Sequence, residues 1–208
     1  MSLNKTPQLL VFAGPNGSGK SSITSGIPIV GTYVNADELK VEQNCSDIDA
    51  AKLAEKVRES LLSKQYSFTF ETVLSTDRNL RFLERAKNSG YQIRAVFVLT
   101  SDVSINIERV KSRVAAGGHD VPLDKIRNRY EKSLQNLARL RKIADHTTVV
   151  DNSGEHPDII CEISNGAASI RPNKYWSKED ILCLLAVESE GTFSEPVYPI
   201  TINTIPKG

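Results

Sequence analysis

A glycine-rich loop near the N-terminus constrains the fold of this chain more than any other feature. The apolar run from Leu9 to Ala13 stops at Gly14, and the loop that follows reads GPNGSGKS and ends at Ser21. It satisfies G-x-x-x-x-G-K-[ST] at every fixed position, a motif that requires a strand before it and a helix after it. A short continuous apolar run is typical of a strand buried on both faces. The chain is therefore expected to fold around a phosphate-binding loop.

Each part of this loop has a defined chemical task. Glycines allow positive φ, so the backbone can wrap closely around an anion with its amide N–H groups pointing inward. The N-terminus of the next helix adds partial positive charge. Lys20 is expected to neutralise the β- and γ-phosphates of a nucleotide, and the Ser21 hydroxyl to ligate Mg²⁺. The predicted nucleotide-binding residues are Gly14, Pro15, Asn16, Gly17, Ser18, Gly19, Lys20, Ser21 and Ser22.

Short apolar runs alternate with longer amphipathic stretches as far as residue 151. This alternation predicts an α/β fold of the P-loop kinase type, in which helices cover both faces of a mostly parallel, five-stranded sheet. The predicted strands are 9–13, 32–38, 66–74, 91–100 and 146–151. The predicted helices begin at about Asp47, Thr76, Asp102 and Leu123.

Beyond residue 151 the pattern predicts a small C-terminal appendage. Asn165-Gly166 between two short apolar runs indicates a two-residue hairpin, and 177–188 is typical of a capped helix. The proline-containing tail that follows is expected to be extended or partly disordered. The predicted units are a kinase-like domain over residues 1–170, with a helical lid at about 109–130, and a C-terminal helix and tail over 171–208.

Composition excludes several other classes of protein. The 208 residues carry a net charge of +1, so no global field attracts the chain to nucleic acid or membranes. Cys45, Cys161 and Cys183 are far apart and form no CxxC pair, which indicates reduced thiols rather than a zinc or disulfide framework. The N-terminus lacks a basic segment followed by a long apolar core, so we expect no signal peptide or anchor and a cytoplasmic location.

The sequence lacks the motifs of several nucleotide-hydrolysing classes. It contains no LSGGQ-like signature of transporter ATPases and no NKxD motif of GTPases. No apolar run ends in the Asp-Glu pair expected of motor or helicase ATPases. The remaining class is that of small kinases, in which a mobile basic lid supplies cations to the transferring phosphoryl group.

A basic region has the position expected of such a lid. Between Arg109 and Lys142 there are ten Lys and Arg residues but only three Asp and Glu residues. One explanation is a solvated basic face on two amphipathic helices. The other is a helix–turn–helix lid whose arginines close on the triphosphate. Arg109 and Arg113 share one helix face and are the first candidates. His119, at the turn, is either a plain loop residue or a substrate-binding residue.

Two carboxylates follow neighbouring predicted strands. Asp37 comes after the second strand and Glu71 lies at the end of the third, at the sheet edge where such folds bind ligands. A kinase needs a carboxylate to orient the acceptor hydroxyl and take its proton, and we assign that role to Asp37. Glu71 is expected to bind substrate or a metal-bound water, with Thr72 as a further substrate-binding residue. The alternatives are a helix N-cap for Asp37 and a lid salt bridge for Glu71.

With these residues assembled, the chain resembles the zeta-toxin family of P-loop kinases, and zeta-toxin-like ATPases in particular. The resemblance rests, in order, on GPNGSGKSS, VNADE, FTFETVLS, IERVKSRVAAGGHDVP and IRNRYEKSLQNL, and covers roughly residues 8–165. It implies a five-strand parallel core and ATP-dependent phosphorylation of a small metabolite. Characterised zeta toxins phosphorylate a sugar hydroxyl of UDP-N-acetylglucosamine, and an antitoxin protein blocks their nucleotide site.

The resemblance also implies which residues act. The functional residues of those kinases are the phosphate-loop lysine, an aspartate after the second strand and two lid cations; they match Lys20, Asp37, Arg109 and a second lid group. The second arginine of well-studied toxins falls at His119 here, and Arg113 or Arg127 is the alternative. The implied ligands are ATP and Mg²⁺, and the implied partners are a small-molecule hydroxyl acceptor and an antitoxin.

Two other functions fit the same residues. One is a kinase for a different acceptor, such as a nucleoside, an antibiotic or a polynucleotide end. The other is an ATP-dependent switch or binding module that has no small-molecule acceptor. Membranes and nucleic acid in general are not expected partners, because the net charge is close to zero.

Overall fold

A single seven-stranded sheet organises the protein in the computed structural model, which describes residues 6–185. Along the chain its strands are β1 (Gln8–Ala13), β2 (Thr32–Val34), β3 (Phe68–Thr72), β4 (Gln92–Leu99), β5 (His146–Asp151), β6 (Asp158–Ser164) and β7 (Ala167–Ile170). The order across the sheet is β2-β3-β1-β4-β5-β6-β7. The strand that leads into the phosphate loop, β1, therefore lies inside the sheet between β3 and β4.

Helices connect these strands. They are α1 (Lys20–Thr24), α2 (Ala36–Gln43), α3 (Asp47–Ser63), α4 (Asp77–Asn88), α5 (Val103–Ala115), α6 (Leu123–Ile143) and α7 (Lys178–Leu185). The helices α5 and α6 form the predicted helix–turn–helix. A small cluster of buried apolar side chains joins them and contains Ile107, Val110, Val121 and Ile126. No helix within residues 6–185 combines the length and the apolar character that crossing a membrane requires.

The mostly parallel sheet is confirmed, but its strand count is seven rather than five. The strands from β2 to β5 pair in parallel, whereas β6 pairs antiparallel with β5 and β7 with β6. The predicted hairpin exists, with φ of 50° and 79° at Asn165 and Gly166. The hairpin adds β6 and β7 to the sheet next to β5, which would otherwise present an edge of unpaired backbone groups. The side chains of Cys161 and Ile163 on β6 are buried.

The second predicted strand is shorter than expected. It ends at Val34, and α2 begins at Ala36, so the strand prediction through residue 38 is wrong. The reason is local, since the Asn35 side chain accepts a hydrogen bond of 2.9 Å from the Asp37 backbone N–H and caps the helix. Asp37 therefore lies in the first turn of α2 rather than at the end of a strand.

Two apolar layers cover the sheet. The larger layer includes buried side chains of α3, α4, α6 and α7, and the smaller one joins α1 to β1, β4 and β5. Trp176, Ile181 and Leu185 belong to the larger layer, and Arg141 Nε of α6 donates to the Leu185 carbonyl at 2.8 Å. The described part of the predicted C-terminal unit thus packs on the main core, whereas its proline-containing tail lies outside the described residues. The domain division itself stays a prediction.

Candidate functional site

The phosphate loop lies at the carboxyl end of β1 and is tightly enclosed. Gly14 has φ of 140° and Gly17 has φ of 78°. A Cβ atom on Gly14 would lie 2.0 Å from the Val98 carbonyl oxygen, and one on Gly17 would lie 2.4 Å from the Asn106 carbonyl oxygen. Neither the conformation nor the space admits a side chain. The glycines of the motif therefore let the loop pass against β4 and α5.

Side chains outside the loop hold its carbonyl groups. Asn106 Nδ2 donates to the Asn16 carbonyl at 2.6 Å, and Asn152 Nδ2 donates to the Ser18 carbonyl at 2.8 Å. Arg109 Nη1 lies 3.5 Å from the same Ser18 oxygen. Sequence reasoning missed both asparagines, since no local pattern distinguishes an asparagine that will contact a loop about 90 or more residues away.

This arrangement leaves backbone N–H groups of the loop available to bind a ligand. Within residues 6–185, no acceptor is bonded to the backbone N–H groups of Asn16, Gly17 and Gly19. The loop carbonyls, in contrast, accept from Asn106 and Asn152. A loop with bonded carbonyls and free amides offers the kind of concave, electropositive surface that binds phosphate oxygens.

Lys20 lies at the centre of this site. Its Nζ donates to the carbonyl oxygens of Gly14 at 2.8 Å and Pro15 at 3.0 Å. Burial lowers the pKa of Lys20 from 10.5 to about 8; the negative charges of Glu71 and Asp37 oppose this decrease, and the positive charge of Arg113 adds to it. The structure therefore brings four of the predicted site residues within electrostatic range of one another.

Glu71 is fixed by two neighbouring elements. Its Oε1 accepts from the Tyr33 hydroxyl at 2.5 Å and lies 3.0 Å from Thr24 Oγ1. Burial, followed by the bond to Glu71, raises the pKa of Tyr33. Within the described part of the chain Glu71 forms no salt bridge to the lid, so that alternative is not what the structure shows. The contribution of Tyr33 could not be found from the sequence.

The Thr72 hydroxyl is turned into the protein. It is buried and accepts from the Leu74 backbone N–H at 2.9 Å and from Asn79 Nδ2 at 2.6 Å. Leu74 has a φ of 55°, so these bonds stabilise a strained turn after β3. Thr72 here has a structural task, and its role in substrate binding stays a prediction.

Asp37 presents an exposed carboxylate beside the loop. It lies in the first turn of α2, and the capping side chain is that of Asn35, so Asp37 is not the N-cap residue. Within residues 6–185 its carboxylate has no ion-pair or hydrogen-bond partner. Its negative charge nevertheless acts on Lys20 and partly offsets the decrease in the pKa of Lys20 that burial causes. A free carboxylate in range of the loop lysine is available to a substrate hydroxyl.

The residues present suit a magnesium ion bound in the P-loop manner. Ser21 and Ser22 are exposed in the first turn of α1. Within the described range there is no cluster of three or more His, Cys, Asp or Glu side chains that could form a metal cage. Mg²⁺ in nucleotide sites usually keeps several waters and takes only one or two protein oxygens in addition to phosphate. The Ser21 hydroxyl fits that donor set.

The predicted lid residues take different positions. Arg109 is half-buried against the loop, as its approach to Ser18 shows. Arg113 Nη2 donates to the His119 carbonyl at 2.8 Å, while its charge still acts on Lys20. Arg127 is exposed on α6. Only Arg109 of these three cations contacts the loop directly.

The His119 side chain contacts Asp47 and Lys40. Its Nε2 lies 3.5 Å from Asp47 Oδ2 and its Nδ1 lies 3.4 Å from Lys40 Nζ. All three side chains are at the surface, where α2 meets α3. The turn of the lid is therefore joined to the α2–α3 corner through exposed polar groups. Its role in substrate binding stays a prediction.

A further arginine of the lid reaches the loop and was missed. Arg129 of α6 is half-buried, and its Nη1 lies 3.3 Å from Asn16 Oδ1. The excess of basic residues in this region drew attention to α6, but that excess could not indicate which arginine faces the loop.

Sequence comparison supports the resemblance independently of the loop. Residues 26–159 match the family model described as zeta toxin, and this match begins after the phosphate loop ends. An uncharacterized protein from Haemophilus influenzae is 28% identical over 127 residues, in an alignment that covers 58% of this chain and 91% of that protein.

Structural comparison finds the same fold in solved proteins. The AvrRxo1-ORF1:ORF2 structure with ATP aligns with a TM-score of 0.62 at 15% identity, over 81% of this chain and 62% of that one. The form with sulphate ions gives a TM-score of 0.61 at 14% identity, with the same coverage. At these identities the likeness concerns the fold alone.

Proposed function

The chain belongs to the zeta-toxin family, and from that premise we propose that it is an ATP-dependent kinase that transfers the γ-phosphate to a hydroxyl of a small molecule. The observation that carries the proposal is a partly buried loop lysine with a free carboxylate within electrostatic range of it. Lys20 provides positive charge inside a loop with free amides, and Asp37 lies in electrostatic range of it, with no ion-pair or hydrogen-bond partner for its carboxylate among residues 6–185. Phosphoryl transfer needs both a held donor and an oriented acceptor.

Each residue of the site has a role in this proposal. The loop amides and Lys20 bind the phosphates, and Arg109 and Arg113 stabilise the charge that spreads over the transferring group. Asp37 orients the acceptor hydroxyl and takes its proton. Glu71, held by Tyr33 and Thr24, orients the acceptor or a metal-bound water. Ser21 would hold Mg²⁺, which neutralises phosphate charge when bound.

We infer the acceptor from the family. The sugar hydroxyl of UDP-N-acetylglucosamine is the first candidate, and an antitoxin protein that covers the nucleotide site is the corresponding partner. A cytoplasmic location is part of the same proposal. The solved AvrRxo1-ORF1 structures contain a second protein, ORF2, which illustrates a complex on this fold.

Mass spectrometry of a metabolite extract tests the proposal. The extract is incubated with the protein, Mg²⁺ and ATP, and we expect one metabolite to gain a phosphoryl group. The Lys20→Ala variant serves as the inactive control. Pure UDP-N-acetylglucosamine is assayed in parallel, and its failure to react while another metabolite is phosphorylated would overturn the acceptor but not the kinase. Slow ATP hydrolysis that no extract accelerates would instead support the switch or binding module.

A further inference from the structure

We propose that Arg129 is a positioning residue that couples the lid to the phosphate loop through Asn16. The inference rests on the proposed binding of nucleotide at this loop. It adds a contact between α6 and the loop that the motif does not assign, because Asn16 occupies a variable position of G-x-x-x-x-G-K-[ST].

Both helices of the lid hold Asn16. From α5, Asn106 Nδ2 donates to the Asn16 backbone carbonyl at 2.6 Å. From α6, Arg129 Nη1 donates to the Asn16 side-chain oxygen at 3.3 Å. One loop residue is therefore bonded through its main chain to the first lid helix and through its side chain to the second.

The same region anchors the two helices to the sheet. Asn106 is completely buried, and its Oδ1 accepts from the Thr100 hydroxyl at the end of β4. Tyr130, the neighbour of Arg129, donates its hydroxyl to the Thr100 carbonyl at 2.6 Å. Thr100 is thus bonded to both lid helices, and Asn16 is bonded to both as well. The loop, the lid and the end of β4 form one connected hydrogen-bond network.

Arg129 has no competing partner that would explain its position. Within residues 6–185 it forms no ion pair with a carboxylate, and its hydrogen bond is to Asn16. Arg127 is a useful contrast, since two residues correspond to about 200° around a helix and Arg127 is exposed. The contact with the loop therefore follows from the direction of Arg129 and not from the general basic charge of α6.

Coupling follows from the geometry. Movement of α6 away from the loop breaks the Arg129 bond, and movement of α5 breaks the Asn106 bond. Any ligand that favours the present loop conformation thereby favours the present lid position, and the reverse holds by linkage. Arg129 acts on the nucleotide through Asn16 in this proposal rather than by direct contact with phosphate.

Hydrogen–deuterium exchange without nucleotide tests the coupling separately from the proposed function. The exchange rate is followed in peptides that cover α5 and α6. It is compared among wild type, Asn16→Ala, Arg129→Ala and the double variant. A net hydrogen bond of about 1 kcal/mol corresponds to about fivefold faster exchange in each single variant. The double variant should be no faster than either one, because both changes remove the same bond. Arg127→Ala removes the same charge and should leave exchange unchanged.

Nucleotide titration gives the second readout. Asn16→Ala and Arg129→Ala should each raise the MgATP dissociation constant by a similar factor of about five, and Arg129→Lys, which keeps a donor, should restore most of the affinity. Additive effects in the double variant, or a loss of affinity in Arg129→Ala that Asn16→Ala does not share, would overturn the proposal. If the wild type fails to bind MgATP, the proposed function fails, while the exchange experiment still decides the coupling.

Discussion

The two sides of the candidate site are built in different ways. On the loop side, which comprises residues 14–22, Gly14 and Gly17 lie against β4 and α5, and Asn106 and Asn152 hold two backbone carbonyls. On the side of Asp37, that carboxylate is exposed and the α5–α6 turn is joined to α2 and α3 through exposed polar groups at His119.

The two sides therefore differ in how firmly their geometry is fixed. Buried and multiply bonded groups keep one geometry, whereas exposed ion pairs contribute only about 0–1 kcal/mol each. The loop side is therefore preorganised for phosphate, which is common to all nucleotide donors. The Asp37 side can change at little cost in stability, which is compatible with its proposed role at the acceptor.

The largest expected effect separates the two sides by mutation. Lys20→Ala should abolish both nucleotide binding and turnover, because it removes the ammonium from the loop. Asp37→Asn should keep MgATP binding and lower kcat by about 10²- to 10⁴-fold, the usual contribution of a general base. Calorimetric titration and steady-state kinetics measure the two effects. An Asp37→Asn enzyme with full kcat would show that Asp37 is not the base.

A glycine substitution tests how rigid the loop side is. A Cβ atom on Gly17 would lie 2.4 Å from the Asn106 carbonyl oxygen, at a φ of 78°, so Gly17→Ala should lower the free energy of unfolding by about 2–4 kcal/mol. Gly90→Ala is the matched control, since Gly90 has a φ of 85° and, apart from its chain neighbours, no heavy atom of residues 6–185 lies within 4 Å of its Cβ position. It should lose only about 1–2 kcal/mol. Equal losses in urea denaturation would contradict the steric explanation.

The smallest effect expected is a dependence of binding on pH. The pKa of Lys20 is about 8 because burial disfavours its charged form. Below that pH the ammonium is charged and can pair with phosphate, and above it the charge is lost before the ligand binds. The MgATP dissociation constant should therefore be flat near pH 7 and rise by about fivefold between pH 8 and 9. A constant affinity up to pH 10 would show that Lys20 keeps its ordinary pKa.

Much of the fold was predictable because it depends on local patterns. The strand–loop–helix around Gly14, the parallel strands and the amphipathic α6 follow from glycine spacing and from hydrophobic periodicity. The Asn165-Gly166 turn follows from the two residues that adopt positive φ there. The helix α2 was not predicted, because a single capping side chain, that of Asn35, decided between a strand and a helix.

The candidate site was predictable only in part. The loop lysine follows from the glycine-rich motif and the carboxylates Asp37 and Glu71 from their places after predicted strands, and the structure brings both carboxylates within electrostatic range of Lys20. The groups that hold them in position, among them Tyr33, Asn106 and Asn152, come from distant segments. No periodicity or motif marks these residues, because their hydrogen bonds form only once the sheet has assembled.

A phosphate loop on an α/β sheet, with a basic helical pair in the same chain, could be predicted from the sequence alone. Glycine spacing and apolar periodicity are properties of neighbouring residues, so they are visible without a structure. Only the tertiary structure decided which cations and amides reach the loop. Arg109 and Arg129 contact it, whereas Arg127 is exposed and His119 contacts the α2–α3 corner. The physical reason is that helix packing sets the direction of each side chain, and that packing joins segments far apart in the chain.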